Sequence, residues 1–135
     1  MSHENVEIMR RSNERANAGE WDAVLDEMYH PDAELRDLRH APDLPEVVQG
    51  REAVRQVLAN WIAAYEELGA EVFGYVDADP WVICDTRWYG RGTGSDVPID
   101  VRGADAYQLK DGRVARAIIG YPDVATALQA VAGAE

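Results

Sequence analysis

His30-Pro31-Asp32-Ala33-Glu34-Leu35-Arg36-Asp37 has the alternation of a short strand, and the rest of the chain is arranged around it. Side chains on a strand point to opposite faces in turn, so Ala33, Leu35 and Asp37 share one side while Glu34 and Arg36 share the other. The charged pair belongs in water. Parity then carries Asp37 to the end of an apolar, buried face, where a carboxylate is costly unless it is paired, protonated or used. Two readings are open: Asp37 is a catalytic acid/base group, or it sits at the strand's mouth and caps the following turn.

Upstream, residues 4–17 carry Val6, Met9 and Ala16 as a narrow apolar stripe at helical spacing, and Gly19 supplies a stop. Trp21, Val24, Leu25 and Met28 form a fuller helical face that Pro31 should end. His30, at the end of that helix, reads as a cap favoured by the helix dipole. Downstream, residues 38–50 contain His40, Pro42 and Pro45 without any period, which predicts a long loop covering the region beyond Asp37. From Arg51 a broad apolar face through Val54, Val57, Leu58, Trp61, Ile62, Tyr65 and Leu68 predicts a helix ending before Gly69. Trp61 and Tyr65 lie one turn apart on it, either as core or as cavity wall.

The second half is rich in β-branched and aromatic residues punctuated by turn signals. Strands are predicted over 70–76, 81–91, 97–109 and 113–120, joined by Asp77-Ala78-Asp79-Pro80, Gly92-Thr93-Gly94-Ser95 and Lys110-Asp111-Gly112. Successive hairpins make them antiparallel, and Gly90 and Gly103 are candidate bend sites in strands this long. Asp123 is the expected N-cap of a last helix with Val124, Ala127, Leu128 and Val131 on one face. On the second long strand Val82, Cys84, Thr86 and Trp88 should face inward. On the third, Ile99, Val101, Gly103, Asp105, Tyr107 and Leu109 share a parity, which buries Asp105 unless a bulge near Gly103 turns it outward. Helices first and a meander afterwards give an α+β chain, a conical curved antiparallel sheet packed with N-terminal helices, over residues 1–135 as one domain.

Composition narrows the function. With 135 residues and 47% hydrophobic content the chain can bury a core of its own, and no apolar run reaches the ~20 residues that a membrane helix requires. The N-terminal residues 1–5 are too polar for a signal peptide. A single Cys84 excludes a disulfide framework within the chain and fits the cytoplasm. The net charge of −12 opposes binding to nucleic acid and to anionic membranes, leaving small molecules and protein surfaces as partners. His3, His30 and His40 lack metal-ligand spacing, so no metal is expected. The glycine-rich turn at 90–95 opens no helix and lacks the dipole of a phosphate loop. No Gly-x-Ser-x-Gly elbow supports a serine nucleophile.

Gly19-Glu20-Trp21-Asp22, Tyr29-His30-Pro31-Asp32-Ala33-Glu34-Leu35, Gly50-Arg51-Glu52-Ala53-Val54-Arg55 and Leu109-Lys110-Asp111-Gly112-Arg113-Val114 together resemble the SnoaL-like branch of the nuclear transport factor 2-like superfamily. The resemblance spans nearly the whole chain and implies a conical α+β barrel, a pocket inside the cone and a homodimer packed through the outer sheet. Residues 32–37 are similar to the ketosteroid isomerase stretch whose last aspartate moves the proton, which implies that role for Asp37. The isomerase's oxyanion-hole tyrosine falls near Ser12, and its protonated aspartate falls on Ala104 by spacing or Asp105 by parity. Limonene-epoxide hydrolases need a further acid that residues 113–120 lack, whereas polyketide cyclases need one acid/base residue.

The resulting expectation is an isomerase, cyclase or hydrolase acting without metal or cofactor on a small apolar carbonyl compound. Asp37 would accept the proton and Asp105 donate one, with His40, Trp61, Tyr65, Trp88 and Tyr107 around the ligand. The competing expectation is a non-catalytic ligand-binding or scaffold homodimer. Ile83, Asp85, Arg87, Tyr89, Asp100 and Arg102 would form its outer contact face.

Overall fold

A computed structural model describes residues 2–39, 47–94 and 97–133. Helix α1 (Ser2–Arg15) buries Met9 and Ser12, and the chain then turns through Ala16–Glu20 into α2 (Trp21–Met28), which buries Val24 and Leu25. The turn rests on Gly19 at φ 90°, a left-handed conformation that a residue with a Cβ rarely adopts. Strand β1 (Tyr29–Asp37) begins directly after Met28, so Pro31 lies inside the strand and does not end the helix. It is tolerated there because the pairing of β1 is irregular between Tyr29 and Glu34, where no ladder N–H is demanded of it. His30 likewise caps no helix: its Nε2–H donates to the Lys110 carbonyl at 2.8 Å, tying the start of β1 to the end of a later strand.

Part of the predicted loop is a strand. Val47–Gln49 forms β2, antiparallel to β1, and its three residues are too few to show a period. Helix α3 (Arg51–Ala64) buries Val54 and Val57. It stops four residues short of Leu68, because Tyr65 and Glu66 pair with Gly92 and Arg91 and belong to β3 (Tyr65–Ala78). A nonlocal ladder overrides the helical period here. The meander continues through β4 (Trp81–Gly92), β5 (Pro98–Lys110) and β6 (Arg113–Tyr121), and Asp123 caps α4 (Val124–Ala132) by accepting the Thr126 N–H at 2.7 Å.

The six strands form one curled, unclosed sheet in the order β2-β1-β6-β5-β4-β3, antiparallel except where β1 runs parallel to β6. That parallel pair closes the first half of the chain onto the last strand and aligns Leu35 with Ala117 and Asp37 with Ile119. The alternation of β4 and β5 sends their residues into two cores. Val82, Cys84, Tyr107 and Leu109 face inward against Met9, Leu25, Leu35 and Val54, while Trp81, Ile83, Ala104 and Ala106 face outward beneath Ala127 and Val131 of α4. Ile83 is therefore sealed inside the protein and takes no part in an outer contact face. The helix α4 covers it.

Candidate functional site

The inward face of the sheet and helices α1 to α3 enclose a cavity of about 330 Å³. Its wall is mostly apolar and carries six aromatic rings, each from a different element: Trp21, Tyr29, Trp61, Tyr65, Trp88 and Tyr107. Four of these were the expected wall residues. Trp61 closes the end of α3 and Tyr65 opens β3, so they meet across an element boundary and not along one helix face. Trp21 was legible only as core periodicity. Tyr29 lies two steps back from Ala33 along the alternation, beyond the exposed Pro31 and the irregular pairing between Tyr29 and Glu34, so parity did not reach it.

Asp105 keeps its inward parity and is 1% exposed. The bulge that the sequence left open near Gly103 lies on the neighbouring strand: Ala104 pairs with Tyr121 and Ala106 with Ile118, so β6 holds one extra residue opposite Asp105. Gly120, at φ 104°, takes up that extra residue. Its N–H is turned to Asp105 Oδ1 at 3.1 Å, while the Trp88 indole donates to Oδ2 at 2.8 Å. Burial pushes the Asp105 carboxyl up to about 6, against the two N–H donors and the Arg39 charge, which pull it down, and with a small upward push from Asp37. It lies immediately behind Trp88, not itself in the wall.

Asp37 stands elsewhere. It ends β1 half-buried and accepts the Arg39 N–H at 3.0 Å, the side-chain geometry of a turn cap, and it does not line the cavity. Asp37 still pairs with Ile119, but as the last residue of its strand it has the turn and not another strand residue beyond it, so parity alone overstated its burial. Arg39 follows it across the sheet: a Cβ at Gly103 would lie 2.9 Å from its Nη2, and one at Gly120 2.9 Å from its Cγ. Asp37, Arg39 and Asp105 thus form one electrostatic neighbourhood. His40 lies outside the described residues, as do 41–46 of the predicted covering loop.

Burial raises the Tyr29 and Tyr107 phenols and the Cys84 thiol well above their ordinary values, so all three are protonated at neutral pH. Ser12, where the oxyanion-hole tyrosine falls by resemblance, lines the cavity but donates to the Ile8 carbonyl at 2.8 Å and contacts Met28 Sδ at 2.6 Å. At the opening, the Asn17 side chain donates to the Ala70 carbonyl at 2.7 Å and accepts the Ala70 N–H at 3.1 Å. Those two bonds fasten the α1–α2 turn to the edge strand. Among the described residues, no three His, Cys, Asp or Glu side chains converge as a metal site, and no helix is long and apolar enough to cross a membrane.

Comparison with known proteins agrees with this fold. The sequence pattern of the SnoaL-like domain matches residues 9–117. Bal32a, from a soil-derived mobile gene cassette, is 20% identical with a TM-score of 0.79, over 95% of this chain and 96% of its own. A candidate SnoaL-like polyketide cyclase from Jannaschia sp. CCS1 is 21% identical with a TM-score of 0.73, over 87% of this chain and 84% of its own. An NTF2-like protein of unknown function from Burkholderia pseudomallei K96243 is 13% identical with a TM-score of 0.74, over 87% and 90% of the two chains. At such identities the shared property is the fold. No curated protein sequence is significantly similar to this one.

Proposed function

This chain belongs to the SnoaL-like domain family, and from that premise we propose that it encloses a small, largely apolar carbonyl compound and moves a proton on it, as an isomerase, cyclase or hydrolase. One observation carries the reading: a buried carboxyl, Asp105, is held by two N–H donors directly behind the aromatic wall of a cavity of about 330 Å³. A carboxyl lifted to about 6 exchanges its proton near neutral pH, which is what a general acid/base needs. Asp105 takes precedence over Asp37 here, because Asp105 is buried and bonded directly to the wall residue Trp88, whereas Asp37 is half-buried and caps the turn at Arg39. In this reading Asp105 holds and returns the proton, Trp88 positions it, and the Tyr29 and Tyr107 hydroxyls orient the ligand.

The cavity supplies its own reporter, since Trp21, Trp61 and Trp88 line it. Small ketones and enones that alter tryptophan fluorescence identify ligands, and turnover is then followed for each. Asp105→Asn is expected to keep ligand affinity within roughly tenfold and to lower turnover by about 10² to 10⁴. Unchanged turnover in that variant would remove Asp105 from the chemistry.

A second reading, a non-catalytic ligand-binding homodimer, is favoured by a different observation: both Asp105 oxygens are already engaged by structural donors. In either reading we propose a homodimer formed through the outer sheet face. Phe73 is 49% exposed there with the Arg102 guanidinium stacked 4.0 Å from its ring, and Arg87 pairs with Asp100 and Arg102 with Asp85. An apolar centre ringed by opposite charges is self-complementary about a twofold axis. The buried, protonated Cys84 suits a cytoplasmic setting.

A further inference from the structure

We propose that the ligand of this cavity carries a positive charge: a small organic ammonium group that lies between the aromatic rings and Glu67. This deepens the reading above and rests on its premise that the cavity is a binding site.

Six rings surround about 330 Å³, and the face of each aromatic ring presents the negative lobe of its quadrupole. Among the described residues the wall contains no Lys, Arg or His to repel a cation or to welcome an anion; its one charged side chain is Glu67. Trp88 adds to the field, because an indole that donates its N–H to a carboxylate is polarised toward a more electron-rich ring.

The placement of Glu67 is built, not incidental. Between Glu66 and Gly69, β3 advances three residues while its partner advances two, from Arg91 to Tyr89. Glu67 sits in this bulge at φ 54°, a left-handed conformation that costs a side-chain-bearing residue about 1 kcal/mol. The bulge breaks the alternation so that Tyr65, Glu67, Leu68, Gly69 and Ala70 all reach the cavity, and Glu67 does so while exposed, which puts it at the opening. No ion pair between described residues engages it. Strain of this kind, held where a carboxylate meets an aromatic chamber, has the form of a functional constraint. The net charge of −12 adds a general attraction for cations.

The test uses isosteres. Choline and 3,3-dimethyl-1-butanol have the same shape and differ in charge; 3,3-dimethylbutanoate supplies the anion. Binding to the full chain is followed by calorimetry and tryptophan fluorescence. Choline is expected to bind roughly tenfold or more tighter than the alcohol, with the butanoate weakest. Trp61→Leu keeps apolar bulk but removes a π face, and should cut choline affinity several-fold with little change for the alcohol. Glu67→Gln should do the same, more strongly at low salt. Glu67→Gly relieves the left-handed strain, which offsets the chain entropy that glycine adds to the unfolded state, so it should hold the melting temperature while weakening choline, a pairing that a residue supporting only the fold would not give. If the alcohol binds as tightly as choline, or if the Glu67 and Trp61 variants leave the preference unchanged, the cation proposal is overturned and the cavity remains a binding site. Binding of none of the three probes overturns the cation proposal, while the ketone and enone screen decides the pocket reading separately.

Discussion

The Trp88 indole N–H donates to Asp105 Oδ2 across 2.8 Å, so a side chain in the cavity wall also holds the buried carboxyl behind it. Trp88→Phe removes that donor and keeps an aromatic ring in the wall, though a smaller one. The charged form of Asp105 loses a stabilising bond, so its pKa moves upward from about 6. A lost hydrogen bond to a buried charged group costs about 1–3 kcal/mol of stability at neutral pH. Carbon-13 NMR titration of the carboxyl and urea denaturation measure the two effects, and an unmoved pKa would mean that the bond does not form in solution.

Asp105 also sets a pH dependence whose sign is fixed. The unfolded chain releases this proton near the ordinary value of 3.8, whereas the folded protein keeps it until about 6. Its contribution is therefore fully present below about pH 4 and is lost as pH rises through about 6. The two-unit gap corresponds to about 3 kcal/mol. Paired acids such as Glu27 and Asp100 are shifted the opposite way, so the whole-protein curve mixes both signs. The difference in unfolding free energy between wild type and Asp105→Asn isolates the one group. That difference should change by about this amount between pH 4 and pH 8, in the direction of relative wild-type loss.

Gly103→Ala should be strongly destabilising although the residue is not left-handed. A Cβ at this position would meet the Tyr121 carbonyl oxygen at 2.5 Å, and backbone of a paired strand cannot retreat cheaply. We expect a loss of about 2 kcal/mol or more by chemical denaturation. A neutral result would show that β5 and β6 separate near the bulge.

Arg87→Glu tests the proposed dimer. Arg87 pairs with both Asp100 and Glu71 on the outer face, so reversal puts three negative charges together on each copy. Multi-angle light scattering at micromolar concentration should show a wild-type dimer and a variant shifted toward monomer, more so at low salt. A wild-type monomer would remove the interface.

What the sequence made legible follows from what its signals measure. Alternation with clear turn residues located β4, β5 and β6 to within about two residues and gave the inward parity of Asp105 and Trp88, because those strands pair with sequence neighbours. The parallel pairing of β1 with β6 left no local trace, since it joins segments some eighty residues apart. The helix-to-strand switch at Tyr65 was hidden because Tyr65 and Leu68 continue the apolar period of α3 without a glycine or proline between. Glu67 was invisible for the same reason. Asp37 was read from parity, and parity does not report how little covers the last residue of a strand.

The six rings of the cavity come from six separate elements, one apiece. No strand or helix owns the chamber, and each ring is carried by an element with ladder or helix bonds of its own. A single codon change can therefore recontour one wall at a time while the sheet stays paired. A lineage using this scaffold can drift between ligands by small steps, without passing through an unfolded intermediate sequence.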